Sequence, residues 1–145
     1  MSKLKVAGAT LNQIPFDWEN NVAHILKAIG EARQQGVQLL CMPELCLTGY
    51  GCEDVFLSDW LSKTAAEKLL TIIPSCENIV ACIGLPIRIH GITYNGVCVV
   101  KDRQILGITL KQNLAKEQPK ILRQMIKNFE LVRGDYKNVE KIELK

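Results

Sequence analysis

The chain has 145 residues, 48% hydrophobic and 23% charged, with a formal net charge of +3, enough for one domain with a buried core. A balance this weak, with no concentrated basic stripe, excludes nucleic acid as an expected partner. No apolar run approaches the roughly 18 residues of a membrane span, and the start MSKLKVAGATLNQ lacks a signal peptide's apolar region and cleavage site, so no membrane partner and a cytoplasmic location are expected.

Lys5–Gln13, KVAGATLNQ, reads as a first strand running into a polar turn. Pro15 and Asp17 mark a helix start, with Asp17 as the expected N-cap. Val22, Ile25, Leu26 and Ile29 follow at i, i+3, i+4, i+7 spacing, one apolar helical face, and Gly36 is the stop signal. VQLLCM then reads as a buried strand, and strand–helix–strand order predicts parallel pairing with the first strand.

Next comes PELCLTGYGCEDVFL, in which a carboxylate, Glu44, directly follows the apolar strand and its proline. SDWLSKTAAEKLLTII is helical in composition and ends at Pro74. NIVACIGLPIRI, ITYNGVCVV and QILGITLK are β-rich runs joined by HG and KDR turns, an expected antiparallel meander. Gly84, Gly96 and Gly107 fall in or beside these strands, where glycine marks bulges or close approaches. From Lys116 the chain turns highly charged; Ile121, Leu122, Met125, Ile126 and Phe129 predict an amphipathic helix after Pro119, and Val139, Ile142 and Leu144 an extended tail.

The six cysteines, Cys41, Cys46, Cys52, Cys76, Cys82 and Cys98, form no CxxC pair, which excludes zinc-ribbon and thioredoxin readings. Cys41, Cys82 and Cys98 lie inside strand-like apolar runs, where free cysteine acts as a small hydrophobe, so reduced thiols are expected. Glu44 lies where α/β proteins place their sites, beyond the carboxyl end of a strand; on position alone it fits either a general base or a loop carboxylate facing water. Lys111 ends a strand and fits either an oxyanion-stabilising cation or a solvated strand terminus. Tyr50, between Gly49 and Gly51, fits a ligand contact or a turn aromatic. His24 and His90 have no metal-ligand spacing and are expected to be structural; no metal-site motif and no GxGxxG, GxxxxGK[ST] or HExxH occurs.

Taken together, PELCLTGYGCEDVFL, GLPIRIHGITYNGVCVV and LGITLKQNLA resemble the carbon–nitrogen hydrolase (nitrilase) superfamily, and within it the glutaminase domain of glutamine-dependent NAD synthetases. VAGATLNQIPFDWENNVAHILKAIGEARQQGVQLLCMPE is similar to the same domain. The resemblance covers about Lys5 to Lys116. It implies an α/β (α+β) fold, the first part of a nitrilase-type αββα sandwich with a C-terminal helical appendage. Residues 1–116 would be a partial carbon–nitrogen hydrolase domain and residues 117–145 a divergent charged segment, a helix and then a short extended tail. It further implies that Glu44 is the general base, that Lys111 stabilises the tetrahedral oxyanion, and that Tyr50 lines the pocket of the substrate, glutamine.

The family's nucleophilic cysteine lies downstream of the lysine, whereas all six cysteines here precede Lys111. No nucleophile is assigned, and the chain alone is expected to be inactive. No cofactor is expected in it, because ATP and magnesium would belong to a synthetase domain. The alternative is a non-catalytic nitrilase-like binding or dimerisation module, a homo-oligomer joined through an exposed sheet or the C-terminal helix.

Overall fold

A computed structural model describes residues 3–111, and residues 138–144 by their backbone. The elements run β1 (Lys3–Ala9), α1 (Trp18–Gln34), β2 (Leu39–Cys41), a 3-10 turn (Glu53–Leu57), α2 (Asp59–Ile72), a second 3-10 turn (Ile73–Ser75), β3 (Val80–Ile89), β4 (Ile92–Lys101), β5 (Gln104–Leu110) and β6 (Asn138–Leu144). The strands form one sheet in the order β5-β4-β3-β2-β1-β6.

β1 and β2 pair in parallel, Val6 beside Leu39, as the strand–helix–strand order predicts. β2 pairs in parallel with β3, and β3–β4–β5 form the antiparallel meander. The extended tail becomes β6, parallel to β1. The helix expected around residues 121–129 and the boundary near residue 116 lie outside the described residues.

α1 ends as its sequence dictates. The Gly36 N–H donates to the Arg33 carbonyl at 3.0 Å and the Val37 N–H to the Ala32 carbonyl at 2.9 Å. With Gly36 at φ +70° this is a Schellman closure, which satisfies the helix's last carbonyls and needs a residue at ease in the left-handed region. The helix start differs from expectation. Asp17 occupies the N-cap but makes no side-chain bond to the helix backbone; its carboxylate instead accepts from the Asn20 side chain at 2.8 and 3.0 Å.

The sheet has two distinct faces. On one, α1 and α2 cover Ala7, Leu40, Ala81, Ile83, Cys98 and Val100 with Ile25, Ile29, Ala65, Leu69 and Ile72. Ile25, Ile29, Leu40 and Ile83 are fully buried, each contributing about 1.5–3 kcal/mol. On the other, Leu39, Val80 and Cys82 are buried beside Val6, Cys41, Val97 and Val99, as the two-residue alternation of strands requires. Gly96 leaves room for the Ile87 side chain. Gly107 adjoins a register shift between β4 and β5, where Leu106 is the extra residue. β5 carries Ile105, Leu106 and Ile108, all exposed. No helix among the described residues is long and apolar enough to cross a membrane.

Candidate active site

Strand direction sets where the site forms. β1, β2, β3 and β5 run one way and β4 runs against them. Glu44 follows β2 and Lys111 follows β5, so both lie at the same carboxyl edge of the sheet. β3 and β4 nevertheless separate the strands that carry them.

The chain spans that gap by crossing over β3. The Met42 N–H makes a last ladder bond to the Cys82 carbonyl at 3.1 Å, and Pro43, having no N–H, cannot continue the ladder. The backbone of residues 43–45 then passes directly over Gly84. A Cβ on Gly84 would lie 2.6 Å from the Pro43 carbonyl oxygen and 2.7 Å from the Leu45 nitrogen. The bare glycine permits this approach, and the Leu47 N–H fastens the crossing to the Gly84 carbonyl at 3.1 Å.

The side chain of Glu44 thereby meets groups from the two strands beyond. Its Oε1 accepts from Lys111 Nζ at 3.0 Å and from the Asn95 side-chain amide of β4. The Lys111 and Glu44 side chains are 13% and 25% exposed, so solvent and salt screen their attraction less than that of a fully exposed pair. The Lys111 backbone N–H donates to the Asn95 carbonyl at 2.8 Å.

A second polar network holds the Glu44 turn to α1. Gln13 Nε2 donates to the Cys46 carbonyl at 2.6 Å and the Asn21 carbonyl at 3.0 Å. Buried Asn21 bonds both backbone groups of Ile14 and the Leu47 carbonyl. With the Gln13 nitrogen so engaged, its oxygen must accept from His24 Nδ1, 2.8 Å away, which fixes that nitrogen as the protonated one. His24 is therefore a structural residue, as its sequence context suggests.

Tyr50 lies on the turn after Gly49 with its residue 72% exposed. None of the six cysteines is in a disulfide. Cys46, close to Glu44 in sequence, is buried, its S–H donating to the Gly84 carbonyl at 3.6 Å, and burial pushes its thiol up to about 12. Burial also raises Cys76 and Cys98, each to about 11, and Cys52 above its ordinary value. Such thiols are poor nucleophiles near neutrality.

Cys41 departs from the expectation of strand burial. It is only half-buried, because it ends β2 where the chain leaves the sheet. It lies beside Cys82. The hydrogen bond from Cys82 holds the Cys41 thiol below its ordinary value, while that same bond and burial push Cys82 well above.

The sequence singles out Glu44 and Lys111, which the fold brings together. It does not single out Asn95. The available signal is an asparagine inside an apolar strand, where that residue type is disfavoured and needs a local reason.

A carbon-nitrogen hydrolase family model matches residues 5–138. The chain is 36% identical over 117 residues to a glutamine-dependent NAD(+) synthetase of Drosophila melanogaster, covering 79% of this chain and 15% of that protein. It is 32% identical over 117 residues to the synthetase of the same description from Homo sapiens, covering 79% and 17%. The crystal structure of a glutamine-dependent NAD(+) synthetase from Cytophaga hutchinsonii superposes with a TM-score of 0.74 at 54% identity, over 77% of this chain and 19% of that one. An amidase from Nesterenkonia sp. shares the fold, with a TM-score of 0.63 at 22% identity over 79% of this chain and 45% of that one. The chain thus spans about a sixth of the length of the curated relatives it matches.

Proposed function

The chain belongs to the carbon–nitrogen hydrolase family, and on that premise we propose that it is the N-terminal part of the glutaminase domain of a glutamine-dependent NAD synthetase. In this reading Glu44 is the general base, Lys111 the oxyanion cation, and Tyr50 a wall of the glutamine pocket. The single observation that carries it is the partly buried contact between Lys111 Nζ and Glu44 Oε1 at 3.0 Å, joining residues 67 apart in sequence.

The chemistry follows from the resemblance. A carboxylate takes the proton of a cysteine thiol, and the thiolate attacks the side-chain amide carbon of glutamine. The carbonyl oxygen becomes an oxyanion, which a fixed ammonium stabilises. The protonated carboxyl returns its proton to the amide nitrogen, so that collapse breaks the carbon–nitrogen bond, expels ammonia and leaves a thioester, which water hydrolyses to glutamate and the free thiol. Lys111 has three N–H donors, one of them on Glu44 Oε1, so a single ammonium can hold the base and face a substrate oxygen. The thiol comes from outside the six cysteines of this chain, and ATP and magnesium serve the synthetase portion. The chain alone therefore does not hydrolyse glutamine.

The test is a hybrid enzyme, in which residues 3–111 replace the corresponding segment of the Cytophaga hutchinsonii synthetase. NAD formation with glutamine is expected to survive the exchange. Lys111→Met is expected to lower it about 100-fold or more and Glu44→Gln about 100- to 10,000-fold, with NAD formation from free ammonia unchanged. Full glutamine-dependent activity in either variant would overturn the assignment.

A second reading rests on β5. Its exposed Ile105, Leu106 and Ile108 place apolar side chains on a strand that ends the sheet among the described residues, a surface suited to self-association. A concentration-dependent dimer in sedimentation velocity, abolished by Leu106→Lys, would support the binding-module reading; a monomer at all concentrations would remove it.

A further inference from the structure

We propose that Asn95 is the positioning residue of the Glu44–Lys111 pair, holding the carboxylate with its side chain and the lysine with its backbone. Asn95 lies on β4, the strand that runs between the two elements the pair must join. Its Nδ2 donates to Glu44 Oε1, the same oxygen that accepts from Lys111 Nζ at 3.0 Å. Its carbonyl accepts the Lys111 backbone N–H at 2.8 Å. One residue therefore touches both members at different atoms.

The chemistry of the contact is directional. A carboxylate only accepts, so the asparagine nitrogen must face it and its oxygen must face away. A neutral donor beside the anion adds a charge-assisted bond without a second positive charge to compete with Lys111. Two donors on Oε1 fix the carboxylate about its last side-chain torsion, which is otherwise broad. The orientation of Glu44 is then set before any substrate arrives, the preorganisation that an effective base requires. Leucine has the same number of side-chain heavy atoms, branched at the same carbon, and no donor, and aspartate has the same shape and the wrong charge. Neither can replace asparagine here, although both leave the backbone bond to Lys111 intact.

The inference takes its chemical meaning from the roles proposed for Glu44 and Lys111, but its test reads the pair directly in the whole chain, without any activity. NMR of the 15N-labelled chain follows three groups: the Lys111 side-chain ammonium, the Lys111 backbone amide and the Asn95 side-chain amide. In Asn95→Leu the Lys111 ammonium signal, visible only while paired and shielded from solvent, is expected to be lost. Hydrogen exchange of the Lys111 backbone amide stays unchanged, because the strand pairing is untouched. A residue with a merely structural role would move both. Persistence of the ammonium signal in Asn95→Leu, or loss of both protections together, would overturn the proposal.

Should Asn95→Leu fail to fold, Glu44→Gln reads the same bond from its other end. The Asn95 side-chain amide protons are then expected to move upfield as the charged acceptor disappears, and an unchanged position would overturn the proposal. If these signals respond as expected while the hybrid enzyme shows no glutamine-dependent activity, the glutaminase reading fails and the positioning role stands.

Discussion

Lys111 Nζ lies 3.0 Å from Glu44 Oε1, although β3 and β4 separate the strands that lead to these residues. The contact depends on the crossing over Gly84, where a Cβ would come within 2.6 Å of the Pro43 carbonyl oxygen. Both clashing atoms are backbone, so no flexible side chain can move aside. Gly84→Ala is therefore expected to lift the turn that carries Glu44 and to cost about 1–3 kcal/mol, the usual range for overpacking. Urea unfolding measures the cost, and loss of the Lys111 ammonium signal reports the broken pair. A variant as stable as the parent, with the pair intact, would show that the crossing does not depend on Gly84.

That dependence also explains what could be read in the sequence. The α1 face, its Gly36 stop and the parallel β1–β2 pairing are local patterns, and each reappears in the fold. The turns at His90–Gly91 and Asp102–Arg103 limit the meander to neighbouring strands, so it too was legible. The meeting of Glu44 with Asn95, 51 residues away, depends on how the meander docks against β2, and no local pattern encodes that. Asp17 misleads for a related reason: its carboxylate finds the Asn20 amide instead of the helix backbone. Cys41 misleads because an apolar run says nothing of where a strand's last residue emerges.

The pair itself is open to a double-mutant cycle. With both side chains mostly shielded, Lys111→Met takes one cation from beside the Glu44 carboxylate, and Glu44→Gln turns the group facing the Lys111 ammonium into a neutral amide. Each substitution is expected to destabilise the chain by about 1–3 kcal/mol. The double variant should lose less than their sum, with a coupling of about 0.5–3 kcal/mol. Urea unfolding of the four chains gives the coupling. Strict additivity would mean that the contact contributes nothing to the folded state.

Thiol reactivity should follow burial and acidity. Cys41 is half-buried, and the hydrogen bond from Cys82 favours its thiolate. Cys46, Cys76 and Cys98 are buried and hard to ionise. Without denaturant, iodoacetamide is expected to modify Cys41 first and to leave those three untouched on the same timescale. Peptide mapping after timed quenching checks the order. Modification of Cys46 ahead of Cys41 would contradict the packing of the Glu44 turn.

The same burial makes stability fall on the alkaline side. In the unfolded chain the Cys46 thiol ionises near its ordinary value of 9.0, whereas in the fold burial holds it neutral up to about 12. Folding therefore favours the protonated thiol. Its contribution is complete below about pH 9 and declines as pH rises from there towards 12, because only the unfolded state gains by losing the proton. The slope from this one group approaches about 1.4 kcal/mol per pH unit in that window. Cys76 and Cys98, raised to about 11, act in the same direction over a narrower span. Cys46→Ala is expected to be less stable than the parent at pH 7.5, since it leaves a small cavity, and to lose stability less steeply from pH 9 to 10.5. Urea midpoints across that range measure both slopes. Equal slopes would mean that the Cys46 thiol titrates alike in both states and is not held neutral by its surroundings.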